Sequence, residues 1–565
     1  MAYATGDADA RWPDGVIPYV ISDEFSEGQR REVLRAIDHW NDRTIIRLRR
    51  RFNEEDFVRF VLAEDVCQAT VGRVGGEQTV GCDVGDGFGT GNVIHEIGHA
   101  VGYFHEHQRP DRDQFVRINA GNIEAGKEHN FDMRLGGVVL GPYDYGSMMH
   151  YPEDAFSDGG DTIDPLQDVD IGQRDGLSEF DIKGVCVLYD APNFVVAWED
   201  DLDRRDRREV QWTGLARWGK HCWGPARVES DDTDRVHPNV ALDAERAAFV
   251  VYEEGPRGSD STRVELRCLT VNGAQRFDAL TVSSGVGRHG APDVAVAPGG
   301  DLVVVWQVGL PAGGQEIRAR GLDREGRDRF PELVVTAGTD GGTPAVPAVG
   351  MNPGAGFVVV WGELLDESLS VHGQVFGADG QRVFEHFTVA DGLGDQDVFP
   401  RVAVASDSSF VVTFERDTRE IRARGFAADS SDLFPEIVVN TTESGIQVTP
   451  DVAAHPAGSF VVVWTDDSDE NLIGQIRSRG FGPNGTETQP ESTANPRGGG
   501  EQLRPRLAVD RLSRRYVVWE DDEDRNGFFQ IHARGTGADG DAFLDSFTVN
   551  TFWRGQQRRP SVAAR

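Results

Sequence analysis

The chain has 565 residues, of which 94 are acidic and 57 are Lys or Arg, so its formal net charge is −37. This negative charge argues against nucleic acid or an anionic membrane as a partner, because both would repel the protein. No apolar run reaches the roughly 18 residues that a membrane-spanning helix requires, so no membrane span is predicted. The length is sufficient for roughly two to four domains.

The first predicted elements are short strands around one long helix. A strand is expected over 15–20. The helix is expected to begin at Ser26, because Gln29 stands three residues later and completes a capping box. Two more strands are expected over 45–48 and 57–62, where β-branched and aromatic residues are frequent.

Cys67 and Cys82 flank a stretch that is predicted to form two short strands around a glycine turn. A disulfide between them would join the two strands of this hairpin. The alternative is a pair of buried thiols, since the sequence alone does not establish an oxidising compartment. The chain has no C-x-x-C motif, so a zinc site built from thiolates is not predicted.

The stretch from His95 to His105 has the form H-E-x-x-H-x-x-G-x-x-H. His95 and His99 are four residues apart, so on a helix both imidazoles lie on one face and can bind the same metal ion. Gly102 can adopt the left-handed conformation that ends a helix and turns the chain, which would bring His105 to the metal. Three nitrogen ligands leave a position open for water, the arrangement typical of catalytic zinc.

Three further side chains are predicted to complete this site. Glu96 cannot reach the metal from its helical position but can reach a water beside it, so it is the candidate general base. Met149 is expected in a turn that forms an apolar floor beneath the metal. Tyr151 is expected to direct its phenol to the metal or to a developing oxyanion.

Two charged features near the motif allow alternative interpretations. The dense charges over 106–113 indicate a partly buried ion network that holds the loop, or else a solvated charged loop. Arg174 is a candidate for a substrate pocket that favours acidic side chains, or else a structural ion-pair partner.

The stretch HEIGHAVGYFHEHQRPDRDQFVRINAGNI, followed by SMMHY, closely resembles the astacin family of zinc endopeptidases. The segments RWPDGVIPY and DIGQRDGLSEFDIKGVCVLY extend the resemblance from about residue 11 to residue 190. The resemblance implies Zn²⁺ bound by three histidines, with protein or peptide substrates. The residues that it assigns are the ligands His95, His99 and His105, the general base Glu96, the Met-turn residue Met149 and the switchable fifth ligand Tyr151.

The resemblance also implies two structural roles. Glu106 corresponds to the glutamate that anchors a processed N-terminus. Cys67 and Cys82 correspond to one of the two family disulfides, whereas the other disulfide would need a cysteine near Ile45, where none is present. Cys186 lies in the final helix of the domain and is expected to be a buried thiol.

Beyond residue 190 the sequence repeats. A Val-rich strand that ends in an aromatic residue recurs seven times, and a P-x-V-A stretch precedes each following copy. The aromatic residues are Trp198, Tyr252, Trp306, Trp361, Phe414, Trp464 and Trp519. Units of about four strands each predict a seven-bladed β-propeller. A last P-x-V-A copy at Pro560 is expected to complete the first blade and close the ring. Tandem β-sandwiches or an open solenoid are the alternatives.

One propeller loop has the D-x-D-x-N-G form of a calcium-binding loop. Asp522, Asp524 and Asn526 are its candidate Ca²⁺ ligands, although the glutamate that completes an EF-hand is missing. The alternative is a solvated hairpin loop. Cys222 and Cys268 fall in neighbouring blades, and the sequence does not establish whether they pair.

The sequence therefore predicts a multidomain chain with an α+β metzincin-type protease domain over residues 1–190 and an all-β seven-bladed propeller over residues 191–565. The predicted activity is that of a zinc metalloendopeptidase whose propeller binds substrate, a glycan or a cell surface. A catalytically inactive protease-like domain on an adhesion propeller is the competing hypothesis. The resemblance implies a secreted protein, although the first residues lack a signal-peptide pattern.

Overall fold

The structure is a computed structural model. It describes residues 2–63, 67–83, 89–201, 208–227, 233–257, 259, 261–285, 287–310, 313–336, 342–393, 398–471, 473–496, 499–552 and 555–565. The chain divides into two compact units. The first contains residues 1–191 and 220–222, and the second contains residues 192–219 and 223–565. No described helix is long and apolar enough to cross a membrane.

The N-terminal unit contains nine described strands and three α-helices. They are β1 (Tyr3–Thr5), β2 (Val16–Ile21), α1 (Glu27–Arg43), β3 (Arg47–Arg50), β4 (Phe57–Ala63), β5 (Gln68–Ala69), β6 (Glu77–Asp83), α2 (Thr90–Val101), β7 (Val116–Ile118), β8 (Gly137–Val139), β9 (Ile163–Pro165) and α3 (Glu179–Leu188). The main sheet has the order β3-β2-β4-β6-β5, and only β5 runs antiparallel to its neighbour. The unit is therefore α+β.

Helix α1 begins as its capping box predicts. Ser26 accepts the backbone N–H of Gln29 at 3.3 Å, and the Gln29 amide oxygen accepts the Ser26 N–H at 3.0 Å. Trp40 is fully buried on the inner face of the helix, and its indole N–H donates to Ile94 O at 3.0 Å. Helix α1 therefore holds the backbone of α2.

The structure does not show the predicted Cys67–Cys82 disulfide, since no disulfide joins the described cysteines. The hairpin itself is present, since β5 pairs antiparallel with β6 through Gln68 opposite Gly81. This register extends to bring Cys67 opposite Cys82, and burial together with the charge of Cys67 raises the pKa of the Cys82 thiol. Neighbouring thiols have the same sequence spacing as a bonded pair, so the spacing alone did not distinguish them.

The second unit is built from seven described four-stranded antiparallel sheets. The strands of the first are β10 (Phe194–Asp200), β11 (Glu209–Leu215), β12 (His221–Arg227) and the last strand β37 (Gln557–Ala564). The strands of blades two to four are β13 (Thr233–Leu242), β14 (Ala248–Pro256), β15 (Arg263–Leu269), β16 (Gln275–Thr281), β17 (His289–Val296), β18 (Leu302–Gly309), β19 (Gln315–Leu322), β20 (Asp328–Val334), β21 (Thr343–Met351), β22 (Phe357–Leu365), β23 (Ser368–Phe376) and β24 (Phe387–Ala390). Those of blades five to seven are β25 (Arg401–Val404), β26 (Phe410–Arg416), β27 (Glu420–Phe426), β28 (Asp432–Val438), β29 (Gln447–Ala454), β30 (Phe460–Asp466), β31 (Gln475–Phe481), β32 (Glu487–Thr493), β33 (Gln502–Val509), β34 (Arg515–Asp521), β35 (Gln530–Thr536) and β36 (Ala542–Thr548).

The C-terminal strand closes the ring, as the last P-x-V-A copy predicts. Strand β37 pairs antiparallel with β10, and Val562 lies opposite Val196 in the register. The first and the last strand of the unit therefore lie in one blade, and this pairing removes the open sheet edges that a solenoid would expose. The seven-bladed propeller is confirmed, and the solenoid and tandem-sandwich alternatives are excluded.

The repeated aromatic residues pack between blades. Trp464 of blade six is fully buried in one cluster with Val411, Ile421 and Ala423 of blade five. Trp519 of blade seven packs in the same way with side chains of blade six. The repeat therefore places a large apolar side chain at these seams, which explains why the aromatic position recurs in the sequence.

The candidate calcium ligands take part in hydrogen bonds of their own loop, so the structure gives no support to a calcium site here, which stays a prediction. Asp522 accepts the Gly527 N–H at 3.1 Å, and Asp524 accepts the N–H and the side-chain amide of Asn526 at 3.3 and 2.7 Å. These oxygens close the hairpin loop with hydrogen bonds. A D-x-D-x-N-G sequence suits both uses, because Asp and Asn stabilise tight turns without a metal.

Candidate metal centre

Helix α2 carries the motif and ends where the glycine predicts. Gly102 adopts φ +124°, and its N–H bonds to Gly98 O at 3.2 Å and to His99 O at 2.8 Å. A side chain is strained at this φ, so glycine permits the helix to end and the chain to turn towards His105.

The turn brings the three histidines together. The Nε2 atoms of His95 and His99 each lie 3.2 Å from the Nε2 of His105. His95 and His99 are buried, and His105 is half-buried. Burial is the main cause of a lowered pKa at each ring, with that of His99 at about 4. The three imidazoles are therefore neutral, the state in which a ring nitrogen binds a metal.

Backbone carbonyls orient two of the rings. The Nδ1 of His95 lies 2.8 Å from Met148 O, and the Nδ1 of His99 lies 2.8 Å from Tyr103 O. Only a protonated Nδ1 can donate to a carbonyl, so each Nε2 carries a lone pair.

The converging lone pairs fit a metal ion. The Nε2 of His105 lies 3.2 Å from each of the acceptor nitrogens of His95 and His99, so one ion can contact all three rings, and the lowered pKa values disfavour protons there. Three imidazoles suit Zn²⁺, and this trio is one of two described clusters of at least three potential metal-binding side chains. The other consists of Asp521, Glu523 and His532 of the propeller.

Glu96 faces the cleft beside the trio. The side chain is 4% exposed, and its Oε2 has no hydrogen-bond partner among the described residues. Burial raises the pKa of Glu96 to about 8, opposed by the positive charge of Arg174. A carboxylate with an open oxygen in a cleft of about 750 Å³ is placed to exchange a proton with a molecule bound there.

Met149 lies beneath α2. It is fully buried, and its sulfur would lie 2.6 Å from a Cβ added at Gly98, so the glycine permits this close packing. Met149 O also accepts the Glu106 N–H at 3.0 Å. The turn that carries Met149 is thereby attached to the helix above and to the chain that follows His105.

Tyr151 lies at the edge of the trio. Its ring centroid is 4.3 Å from that of His105 and 4.2 Å from that of His107. Burial and the nearby Glu96 raise the pKa of Tyr151 to about 12, so the phenol stays protonated and can donate. Tyr151 is half-buried and lines the same cleft as Glu96.

The charged stretch after His105 forms a partly buried ion network, which is one of the two alternatives predicted for it. The Arg109 guanidinium is 1% exposed and bonds to Glu106 at 2.9 Å and to Asp111 at 2.8 Å. Glu106 also accepts the Asp144 N–H at 3.0 Å. Glu106 is fully buried, and this network ties the third-histidine segment to the start of the Met149 turn.

Arg174 and Asp181 hold that turn, and Asp181 was not identified from the sequence. Arg174 donates to Met148 O at 3.2 Å and to His150 O at 3.1 Å, so its side chain supports the backbone of the turn. Asp181 accepts the Met148 N–H at 2.8 Å. The capping box of α3 at Ser178 was the available signal for Asp181, but it marks a helix start without showing what the carboxylate reaches.

The helix-borne histidine pair, the third histidine after a glycine turn and the methionine floor together define a metzincin-type metallopeptidase domain. Residues 4–190 match the model of the peptidase family described as Astacin. The N-terminal domain is therefore an astacin domain.

Three comparisons illustrate the match. The chain is 42% identical over 191 residues to "Zinc metalloproteinase nas-13" of Caenorhabditis elegans, covering 33% of this chain and 42% of that protein. It is 43% identical over 178 residues to "High choriolytic enzyme 1" of Oryzias latipes, covering 31% and 66%. The solved structure of that hatching enzyme zinc-protease is 40% identical, covers 34% of this chain and 99% of that chain, and gives a TM-score of 0.32. The chain thus spans less than two thirds of either curated relative.

Proposed function

We propose that the protein is a zinc-dependent metalloendopeptidase that hydrolyses peptide bonds in proteins. His95, His99 and His105 hold the metal, and Glu96 is the general base. The observation that carries the proposal is the convergence of three Nε2 atoms, with two separations of 3.2 Å, beside a buried carboxylate with an open oxygen.

The chemistry divides between the metal and the side chains of the cleft. Bound zinc supplies a Lewis acid that polarises the peptide carbonyl and acidifies a water molecule. Glu96 accepts the proton of the attacking water and afterwards returns it to the leaving amine. Tyr151 donates a hydrogen bond to the oxyanion that develops on the carbonyl oxygen.

The inactive alternative is disfavoured by the same residues. A binding module that had lost catalysis would be free to lose Glu96 or one histidine, yet every group that the reaction requires is present and directed into one cleft. Met149, Glu106 and Arg174 support the ligands through buried packing and hydrogen bonds. Precise support of this kind is what catalysis needs.

Hydrolysis of casein by the full chain tests the proposal. Activity is expected to require one bound zinc per chain at the histidine trio, to disappear with a chelator and to return when Zn²⁺ is restored. Full activity in the chelated enzyme would refute the assignment.

The propeller is proposed to present the enzyme to substrate or to a surface, and the chain is proposed to be secreted. Secretion is supported by the similarity to the hatching enzyme named above. Fractionation of the producing culture tests it, since the full chain is expected in the medium.

A further inference from the structure

The innermost strands of the propeller share an unusual feature at the axis. In six of them a residue with positive φ precedes a proline, and the ladder to the next strand shifts at that point. These residues are His237, Ala291, Val346, Thr449, Arg504 and Arg559. A proline cannot donate to the ladder, so the strand bulges there. The bulges direct side chains towards the axis and surround a cavity.

The cavity has a volume of about 330 Å³, and its walls carry only positive charge. Six inner-strand prolines and Phe399 supply apolar surface. The charged or titratable side chains that line it are Arg401, Arg504, Arg506, Arg559 and His237. A basic cavity is notable in a chain whose net charge is −37, because its 94 acidic residues far outnumber its 57 Lys and Arg residues.

Three of these basic groups already have close partners. Arg504 pairs with Glu520 at 3.0 Å, and Arg559 pairs with Glu199 at 2.9 Å. The His237 Nδ1 lies 2.9 Å from a Glu253 oxygen. Glu520 and Glu199 compensate the charges of Arg504 and Arg559.

Arg401 and Arg506 differ from the others. Their side chains are 15% and 25% exposed, and neither guanidinium donates a hydrogen bond to any part of the chain that the structure describes. Each lies 3.9 Å from the same Asp451 oxygen, beyond hydrogen-bond distance. Burial and the nearby Arg401 lower the pKa of Arg506 to about 10. Largely buried guanidinium groups without acceptors indicate a missing anion.

The nearby carboxylates do not fill this role. Asp451 accepts the Leu507 N–H at 2.8 Å, and Asp293 accepts the Val349 N–H at 2.9 Å. Neither carboxylate lines the cavity. Both therefore act within the inter-blade hydrogen bonding, whereas Arg401 and Arg506 line the cavity.

We propose that the axial cavity of the propeller binds a carboxylate-bearing sugar, with Arg401 and Arg506 holding the carboxylate. Guanidinium groups match a carboxylate through paired hydrogen bonds, and the proline and Phe399 surfaces suit the apolar face of a sugar ring. The volume accommodates a sugar-sized acid and excludes a folded partner. The inference deepens the proposed surface-binding role of the propeller but does not depend on peptidase activity.

Titration calorimetry of the full chain with sodium glucuronate tests the inference, with glucose and sodium sulfate as comparison ligands. Glucuronate is expected to bind at one site, and Arg506→Gln is expected to weaken binding at least about tenfold, because a charged hydrogen bond is lost. Arg401→Lys keeps the charge but loses the planar pair of donors, so it is expected to weaken binding as well. Arg327→Gln, an exposed arginine in a blade-three turn, is the charge-matched control and is expected to bind normally.

Each remaining outcome has a defined meaning. Equal binding of glucose, or glucuronate binding unchanged in the Arg401→Lys and Arg506→Gln variants, would overturn the proposal. Equal affinity for sulfate and glucuronate would also overturn it, because the cavity would then hold any oxyanion without recognising the sugar. Thermal unfolding of each variant without ligand identifies loss of folding, and caseinolysis measured in parallel separates failure of this inference from failure of the proposed peptidase.

Discussion

Glu96 and Tyr151 line one cleft but act at different stages of the proposed reaction. Glu96 transfers a proton, whereas Tyr151 stabilises negative charge that exists only as the reaction proceeds. Removing either side chain therefore has a distinct kinetic signature, and neither is needed to hold the metal.

Glu96→Gln is expected to lower kcat by about a hundredfold or more, because the amide cannot accept the proton. Zinc content should remain at one ion per chain, since the three histidines are unchanged. Caseinolysis and metal analysis of the same preparation measure both. Glu124→Gln, an exposed change in the same unit, is the matched control. Wild-type turnover by Glu96→Gln would contradict the assigned role.

Tyr151→Phe is expected to lower kcat by about a hundredfold while KM changes little, because the phenol stabilises the oxyanion rather than bound substrate. Steady-state kinetics on one peptide separate the two parameters. The phenylalanine ring preserves the packing on His105 and His107. A rise in KM at unchanged kcat would instead assign Tyr151 to substrate binding.

For single residues, the sequence predicts the roles that depend on neighbours a few positions away in the chain. The pair His95 and His99 follows from helical periodicity, and Gly102 indicates the turn to the third histidine. The role of Asp181 cannot be predicted in this way, because its hydrogen bond with Met148 joins positions far apart in the chain. The state of Cys67 and Cys82 does not follow either, because bonded and neighbouring thiols share one spacing.

Helix α2 and the Met149 turn pack closely together at Gly98, where the helix has no side chain. Gly98→Ala places a methyl group where the Met149 sulfur lies, at 2.6 Å from the added Cβ, so one of the two must move. We expect a loss of about 1–3 kcal/mol in unfolding free energy, as is usual for overpacked cores, and reduced caseinolysis. Gly121→Ala meets no atom within 4 Å and is the control. Equal stability of the two variants would show that the packing adapts freely.

The propeller blades are joined by a repeated hydrogen bond. The residue after the buried aromatic accepts the N–H of the positive-φ residue in the next blade, as Glu253 does from Ala291 at 2.7 Å and Glu520 from Arg559 at 2.8 Å. The connection also joins blade seven to blade one. Gly362 occupies the corresponding position in blade four and has no side chain to contribute. The repeat was visible in the sequence, but its function as an inter-blade bond required the register of the bulges.

Glu253 makes this connection depend on pH. Burial raises its pKa, but the hydrogen bond and charge of His237 and the Ala291 N–H outweigh burial and leave it below the ordinary value. A lowered folded pKa contributes stability that is present above the unfolded value, about 4.3, and is lost as pH falls through the folded value. Glu253→Gln is expected to destabilise the propeller by about 1 kcal/mol at neutral pH and progressively less below pH of about 4.

Thermal unfolding across the acid range measures this difference, and the exposed change Glu443→Gln is the control. Blade three provides a natural precedent, since Gln307 accepts the Val346 N–H at 3.2 Å. A difference between Glu253→Gln and wild type that stays constant with pH would assign the loss to packing instead.

For the whole molecule, the sequence predicted two architectures from two kinds of signal. A single specific motif identified the first unit, whereas seven repeats with a terminal spare strand identified the second. Neither signal predicted the axial cavity, because its basic side chains come from separate blades and meet only when the ring closes. Arg401 and Arg506 lie in different repeats and resemble ordinary strand residues when read in sequence.

Metal removal is expected to affect one unit and spare the other. Bound zinc stabilises only the fold that holds the histidine trio, by an amount that grows with the ratio of metal concentration to its dissociation constant. The propeller has its own buried clusters between blades, such as those around Trp464 and Trp519. Scanning calorimetry of the full chain should therefore show two transitions, of which a chelator lowers one. Gly98→Ala should shift the same transition as the chelator, and Glu253→Gln should shift the other. The two variants thus assign each transition to its unit in the intact chain. A chelator that lowered both transitions equally would mean that the metal stabilises the propeller as well, contrary to a single zinc at the histidine trio.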